Sequence, residues 1–156
     1  MIRYLSILLF LSFSLLWASC SSDDNPTGND DPSSFQLGTM KATINGNTWQ
    51  SNQAQATLAG VSIVISGASL DGNSITITFQ KTEPGSYTNA YGSYNQVNMS
   101  NPYDQKVYAT ANANYTIDSY DGDVISGSFS FIGDLQNGDG TSEIKNGKFK
   151  VKIINN

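Results

Sequence analysis

The 156-residue chain contains no histidine and a single cysteine, Cys20. The first absence removes the usual general base, the commonest metal ligand and the Ser-His and Cys-His nucleophile pairs. The second excludes an intramolecular disulfide. Charge is scarce too: 13% of residues are charged, eight basic against thirteen acidic, for a formal net charge of −5. Such a chain lacks the cationic patch that phosphate backbones require, so no nucleic-acid partner is expected. No stretch carries an apolar stripe at helical spacing, and no Ser-x-x-Lys pattern is found. A non-catalytic protein without cofactor or metal is the expectation these gaps create.

What is present begins with an address. Met1-Ile2-Arg3 opens the chain, and an apolar run follows from Tyr4 through Trp17. At about 14 residues it is shorter than the roughly 20 that a bilayer-spanning helix needs. A basic start, a short greasy core and small residues make residues 1–19 a secretory signal peptide. A buried N-terminal helix is the alternative, and the polar sequence directly behind disfavours it. Leu16-Trp17-Ala18-Ser19-Cys20 resembles the lipobox of bacterial lipoproteins, with Trp17 where Leu is usual. That resemblance implies acylation of Cys20 and a membrane partner reached through the lipid. Ser21-Ser22-Asp23-Asp24 is similar to the acidic export signal of Bacteroidota lipoproteins, which implies display on the outer membrane at the cell surface.

The segment 20–37 reads as a lipidated Cys followed by a tether. Pro26, Gly28, Pro32 and four Asp leave almost nothing to bury, so disorder is expected. A flexible coil of this length reaches roughly 20–25 Å. Four of the thirteen acids lie here, so residues 38–156 set nine acids against seven lysines. The acidity of the whole chain is mainly a property of its tether.

Residues 38–156 read as one all-β domain, an antiparallel β-sandwich or partly open β-barrel, and as a monomer. Ile75 to Gln80 and Lys148 to Ile153 alternate at period two, and Lys148, Lys150 and Lys152 must share one wet face. Further strands are expected at 40–44, 54–58, 61–66, 107–117 and 124–132, separated by Gly, Asn and Asp. A three-residue loop at Asp71-Gly72-Asn73 would set Ile65 opposite Phe79, with Gly72 or Asn73 left-handed. In the next hairpin, pairing Ile117 with Ile125 would place Tyr115 over Gly127, Ala113 by Phe129 and Ala111 by Phe131. Small would face large, and an aromatic ring would cover the glycine.

Three stretches carry a wider resemblance. Thr39 to Trp49 contains a strand, an Asn-Gly turn and a Trp; Ile125 to Phe131 and Ile144 to Val151 read as two late strands. Together they resemble the small β-domain lipoproteins of the Bacteroidota, a family of unknown function, across most of residues 39–154. The resemblance implies location and fold and adds nothing about mechanism.

Chemistry is thinly supplied. Glycoside hydrolysis needs only two carboxylates, but Glu83, Glu143 and most Asp residues sit beside turn formers, where solvated turn acids are expected. The loops 118–123 and 134–140 are rich in acids, yet the EF-hand register puts Leu135 and Asn146 at essential ligand positions. Hairpin turns account for the same residues. The remaining feature is 85–103, GSYTNAYGSYNQVNMSNPY, which has no charged residue. Tyr87, Tyr91, Tyr94 and Tyr103 among Asn, Ser and Gly have the chemistry of an adaptable binding loop for glycan or protein. The alternative is that these rings cover an open end or edge of the barrel. The expected function is a lipid-anchored binding or adhesion module. A lipocalin-like carrier of a small apolar ligand and a purely structural envelope protein are the alternatives.

Overall fold

Alternation at period two makes each apolar segment half-buried, and the turn residues between them return the chain. The computed structural model describes residues 35–101 and 103–154. The predicted signal peptide, Cys20, the Ser21–Asp24 motif and most of the tether lie outside the described residues. Nine strands follow in order: β1 (Thr39–Ile44), β2 (Asn47–Ser51), β3 (Gln55–Ala59), β4 (Ser62–Ala68), β5 (Ser74–Phe79), β6 (Gly85–Gln96), β7 (Lys106–Tyr120), β8 (Val124–Leu135) and β9 (Thr141–Ile154). They form one sheet in the order β2-β1-β9-β3-β4-β5-β6-β7-β8, and β8 pairs back onto β9. The all-β expectation holds, in its barrel form. Pairing is antiparallel except between β3 and β9, which run parallel at Ala56–Ile153 and Thr57–Ile154. One edge of β9 is shared, β1 taking Ile144 to Lys150 and β3 taking the end.

The interior is filled by side chains from every strand. Met40, Ile63, Ile65, Ile75, Ile77, Ile117, Ile125, Ile144, Phe149 and Val151 are almost wholly buried. Rings run through this core in series: Tyr87 stacks on Tyr115 at 5.2 Å, Tyr115 on Phe79 at 4.5 Å, and Phe79 on Phe149 at 6.4 Å. Phe129 continues the series from Phe149, and Phe131 ends it. The β1–β2 hairpin turns on Asn45 and Gly46, both left-handed at φ 48° and 86°, as an Asn-Gly two-residue turn demands. Trp49 on β2 is buried and donates its Nε1–H to the Asn73 carbonyl at 3.3 Å, tying this hairpin to the β4–β5 loop.

Both predicted hairpin registers are corrected. Between β4 and β5, Ala68 pairs with Ser74 and Ile65 with Ile77, so Phe79 meets Ile63 instead. The loop is two residues longer because Ser69 N–H donates to the Asn73 carbonyl, while Asn73 Oδ1 accepts from Val97 N–H. Gly72 is left-handed, at φ 82°. A shift of two keeps every apolar residue on its face, so the core was read correctly with the wrong partners. Between β7 and β8, Tyr120 pairs with Ile125, Ile117 with Gly127 and Tyr115 with Phe129. The turn places Tyr120 opposite Ile125, three residues from the expected partner Ile117; an extra residue at Asp118 takes the pairing back by one, and Ala111 is exposed rather than against Phe131. Rings do cover glycines, but in other pairs. A Cβ on Gly147 would lie 2.6 Å from the Phe129 ring, one on Gly92 2.9 Å from Phe131, and one on Gly127 2.8 Å from Phe149.

Two strands escaped the sequence reading. β2 is short, and β6 lacks the apolar alternation that marks a strand. β6 occupies the first part of the Tyr-rich segment 85–103, and the part beyond Gln96 is irregular.

Candidate functional site

The long strands β6, β7 and β9 each carry one extra residue at the same level of the sheet. On β6 the shift falls between Tyr87 and Ala90, where Asn89 is left-handed at φ 67°. On β7 it falls at Ala111 and Asn112, and on β9 at Lys145 and Asn146, the latter at φ 52°. β8 passes through without a bulge, and its burial alternates from Ile125 to Gly133. Aligned bulges bend the sheet sharply along one line.

A groove of about 940 Å³ lies beside this line. Its outward row is set by register: Ser86 opposite Thr116, Thr116 opposite Ser128, and Ser128 opposite Lys148. The Ser86 and Thr116 hydroxyls are 3.0 Å apart and hydrogen-bonded. Thr88, Asn114, Ser130, Asn146, Lys145 and Lys81 complete the polar lining. Tyr87, Tyr115, Phe129 and Gly147, which face the interior, also border it. Lys145 pairs with Glu143 at 2.7 Å, and both line a smaller groove across the bend with Asn112 and Asn114.

At the β5–β6 side the concavity continues. Pairing of these strands stops at Thr78 and Tyr91, so they diverge beyond that point. The opening there is bordered by Thr78, Lys81, Thr88, Asn89, Tyr91 and Tyr115, and shares Lys81, Thr88 and Tyr115 with the main groove. Burial raises the Tyr115 hydroxyl above the ordinary tyrosine range, while a backbone hydrogen bond at Lys81 opposes the shift. Tyr115 is therefore a neutral hydroxyl at neutral pH.

The structure divides the four predicted tyrosines. Tyr87 is half-buried, stacks on Tyr115 and donates its hydroxyl to the Glu83 carbonyl at 2.9 Å. Tyr91 is 47% exposed and borders the opening. Tyr94 is buried in the core and stacks on Tyr108 at 6.0 Å. Burial raises its hydroxyl, and the Asp71 charge adds to the shift. Tyr103 is 98% exposed, in the loop after β6. Tyr94 thus drops out as a surface contact, and Tyr103 stands apart from the groove. The reason is the Asn89 bulge: it reverses the alternation, so Tyr87 and Tyr94 point inward and Tyr91 outward.

The residues sequence reasoning missed come from β7, β8 and β9. Asn114, Thr116, Ser128 and Ser130 looked like ordinary outward positions, and only their cross-strand alignment makes them a lining. Among the acid-rich loops, Asp121 is a turn residue: its Oδ1 accepts from Asp123 N–H at 2.9 Å and Val124 N–H at 2.7 Å. These bonds, that from Val124 first, hold its carboxyl below the usual value.

Residues 36–151 match a family model described as a domain of unknown function (DUF6252). The match runs from just before β1 into β9 and so includes every strand of the barrel. The chain belongs to this family. Comparison with curated proteins and with solved structures yields no match. Membership carries no activity with it, so function must be argued from the groove.

Proposed function

We propose that this protein of the DUF6252 family is a non-catalytic glycan-binding module of the cell envelope. The observation that carries the reading is the groove of about 940 Å³ along the bend, lined by hydroxyl, amide and ammonium groups and open to Tyr91. Sugars present hydroxyl edges and flat C–H faces. A row of Ser, Thr and Asn answers the first, and an exposed tyrosine ring the second. Isoleucine and aromatic side chains occupy the barrel interior, which favours an external ligand over an enclosed apolar one. The lipobox-like end of the signal peptide supports an anchor at Cys20. The Ser21–Asp24 motif supports display on the outer membrane of a Bacteroidota cell. The tether then holds the groove away from the membrane surface.

A glycan microarray probed with the full-length protein in detergent tests the reading. Binding to a defined set of glycans is expected, and Tyr91→Ala should abolish it with little change in melting temperature. Tyr103→Ala should bind like the wild type. An array empty at high protein concentration, or full binding by Tyr91→Ala, overturns the proposal. Incorporation of labelled fatty acid by the wild type and by Cys20→Ser tests the anchor separately.

A further inference from the structure

The charges around the groove are unlike those of the domain. Residues 38–156 hold nine acids and seven lysines, yet the main groove is lined by Lys81, Lys145 and Lys148 and by no carboxylate. Two acids stand close by: Glu143 reaches Lys145 from the adjoining groove, and Glu83, whose carbonyl takes the Tyr87 hydroxyl, acts on Tyr115 at the groove border. Three ammonium groups line the groove against these two neighbouring carboxylates. The remaining acids are mostly confined to turns, with Asp121 and Asp123 after β7 and Asp134 and Asp139 around the β8–β9 turn. From Lys148 the positive character extends outward: Lys150 and Lys152 follow at period two on β9, and Lys41 of β1 stands directly opposite Lys148. Lys41 also lies over the Phe35 ring, 5.3 Å from its centroid.

We infer, resting on the glycan reading above, that the groove is built for an acidic polysaccharide, one whose sugars carry sulfate or carboxylate groups. The ammonium groups mark the two ends, Lys81 beside the β5–β6 opening and Lys148 at the β9 wall. Between them the hydroxyls of Thr116 and Ser128 stand where neutral parts of a sugar ring would rest. The excess of acids elsewhere repels a polyanion, so attraction is local to this face.

Three polymers with one backbone separate charge from sugar: dextran, carboxymethyl dextran and dextran sulfate. With the full-length protein, both charged polymers should bind and dextran should bind at least about tenfold more weakly, the worth of one hydrogen bond to a charged group. Binding should weaken with salt as exposed charges are screened. Lys81→Gln and Lys148→Gln should each cost about tenfold, while Lys106→Gln, the same charge loss outside the groove, should stay within about twofold. Melting curves verify that each variant folds. If dextran binds as well as the charged polymers, the acidic class is wrong and the glycan reading stands. If Lys106→Gln weakens binding as much as Lys81→Gln, the attraction belongs to the whole protein and the inference fails. An array positive for neutral glycans with no retention of either charged polymer also overturns it. An empty array fails the glycan reading itself.

Discussion

The barrel has two unlike regions. β4 and β5 pair through six consecutive residues without a register shift, and four of their six inward positions are isoleucine, with Gly67 and Phe79 the other two. β6 to β9 are twice as long, interrupted at three strands, and packed by phenylalanine and tyrosine over glycine. The first region is stabilised by volume: branched side chains on a regular pleat exclude water and present a plain outer face. The second depends on backbone placement, because each extra residue re-aims everything beyond it. The groove and the exposed Tyr91 beside it arise in the second. A regular sheet yields a core, whereas an interrupted one also yields a groove.

If that contrast is right, the regular region should be most sensitive to lost volume. Ile65→Ala should destabilise by about 3 kcal/mol in urea unfolding, since Ile65 is fully buried and β4 is fixed on both sides. Ile65→Val should cost about 1 kcal/mol. A small loss for Ile65→Ala would place the stability elsewhere.

The interrupted region should be sensitive to added volume instead. A Cβ on Gly127 would lie 2.0 Å from the Thr116 carbonyl oxygen, where backbone must move. Gly127→Ala should therefore cost about 2 kcal/mol, though it adds one methyl group. Urea unfolding unchanged from wild type would mean the β7 bulge is soft.

Asn89 gives a sharper comparison, because its effect is conformational. Asn89→Val forces a branched residue into φ 67° and should cost about 1–2 kcal/mol. Asn89→Gly should stay within about 0.5 kcal/mol of wild type. Equal losses for both would show that the Asn side chain, not the backbone angle, matters.

The smallest effect belongs to the turn that starts β8. The Asp121 carboxyl is held below its ordinary 3.8 by two backbone N–H groups. Its contribution is thus fully present above that value and is lost as pH falls through the lower folded value. Asp121→Ala should be slightly less stable than wild type at neutral pH, and the gap should close in strong acid. A gap independent of pH, followed by thermal melting, would contradict the turn assignment.

Most of the fold was legible because alternation reports burial directly. Ile75 to Phe79 and Lys148 to Ile153 could hardly be anything but half-buried strands. β6 was not legible, since Tyr, Ser, Gly and Asn describe a loop and an outward-facing strand equally well. Tyr87, Tyr91 and Tyr94 lie on one strand but not on one face of it. A single left-handed residue, Asn89, decides which ring faces water, and Asn is tolerated there without being required.

The sequence by itself determined the class of the molecule: all-β, with no histidine and a single cysteine. In the regular strands β4 and β5 it also determined which residues face inward, since a slip of two residues leaves faces unchanged. The tertiary structure decided partners, registers and the groove. Ser86, Thr116, Ser128 and Lys148 lie on four strands far apart in the chain, and they form a row only once the sheet is paired. Register depends on bulges and loop hydrogen bonds, whose energies are small and whose positions leave little trace in residue type.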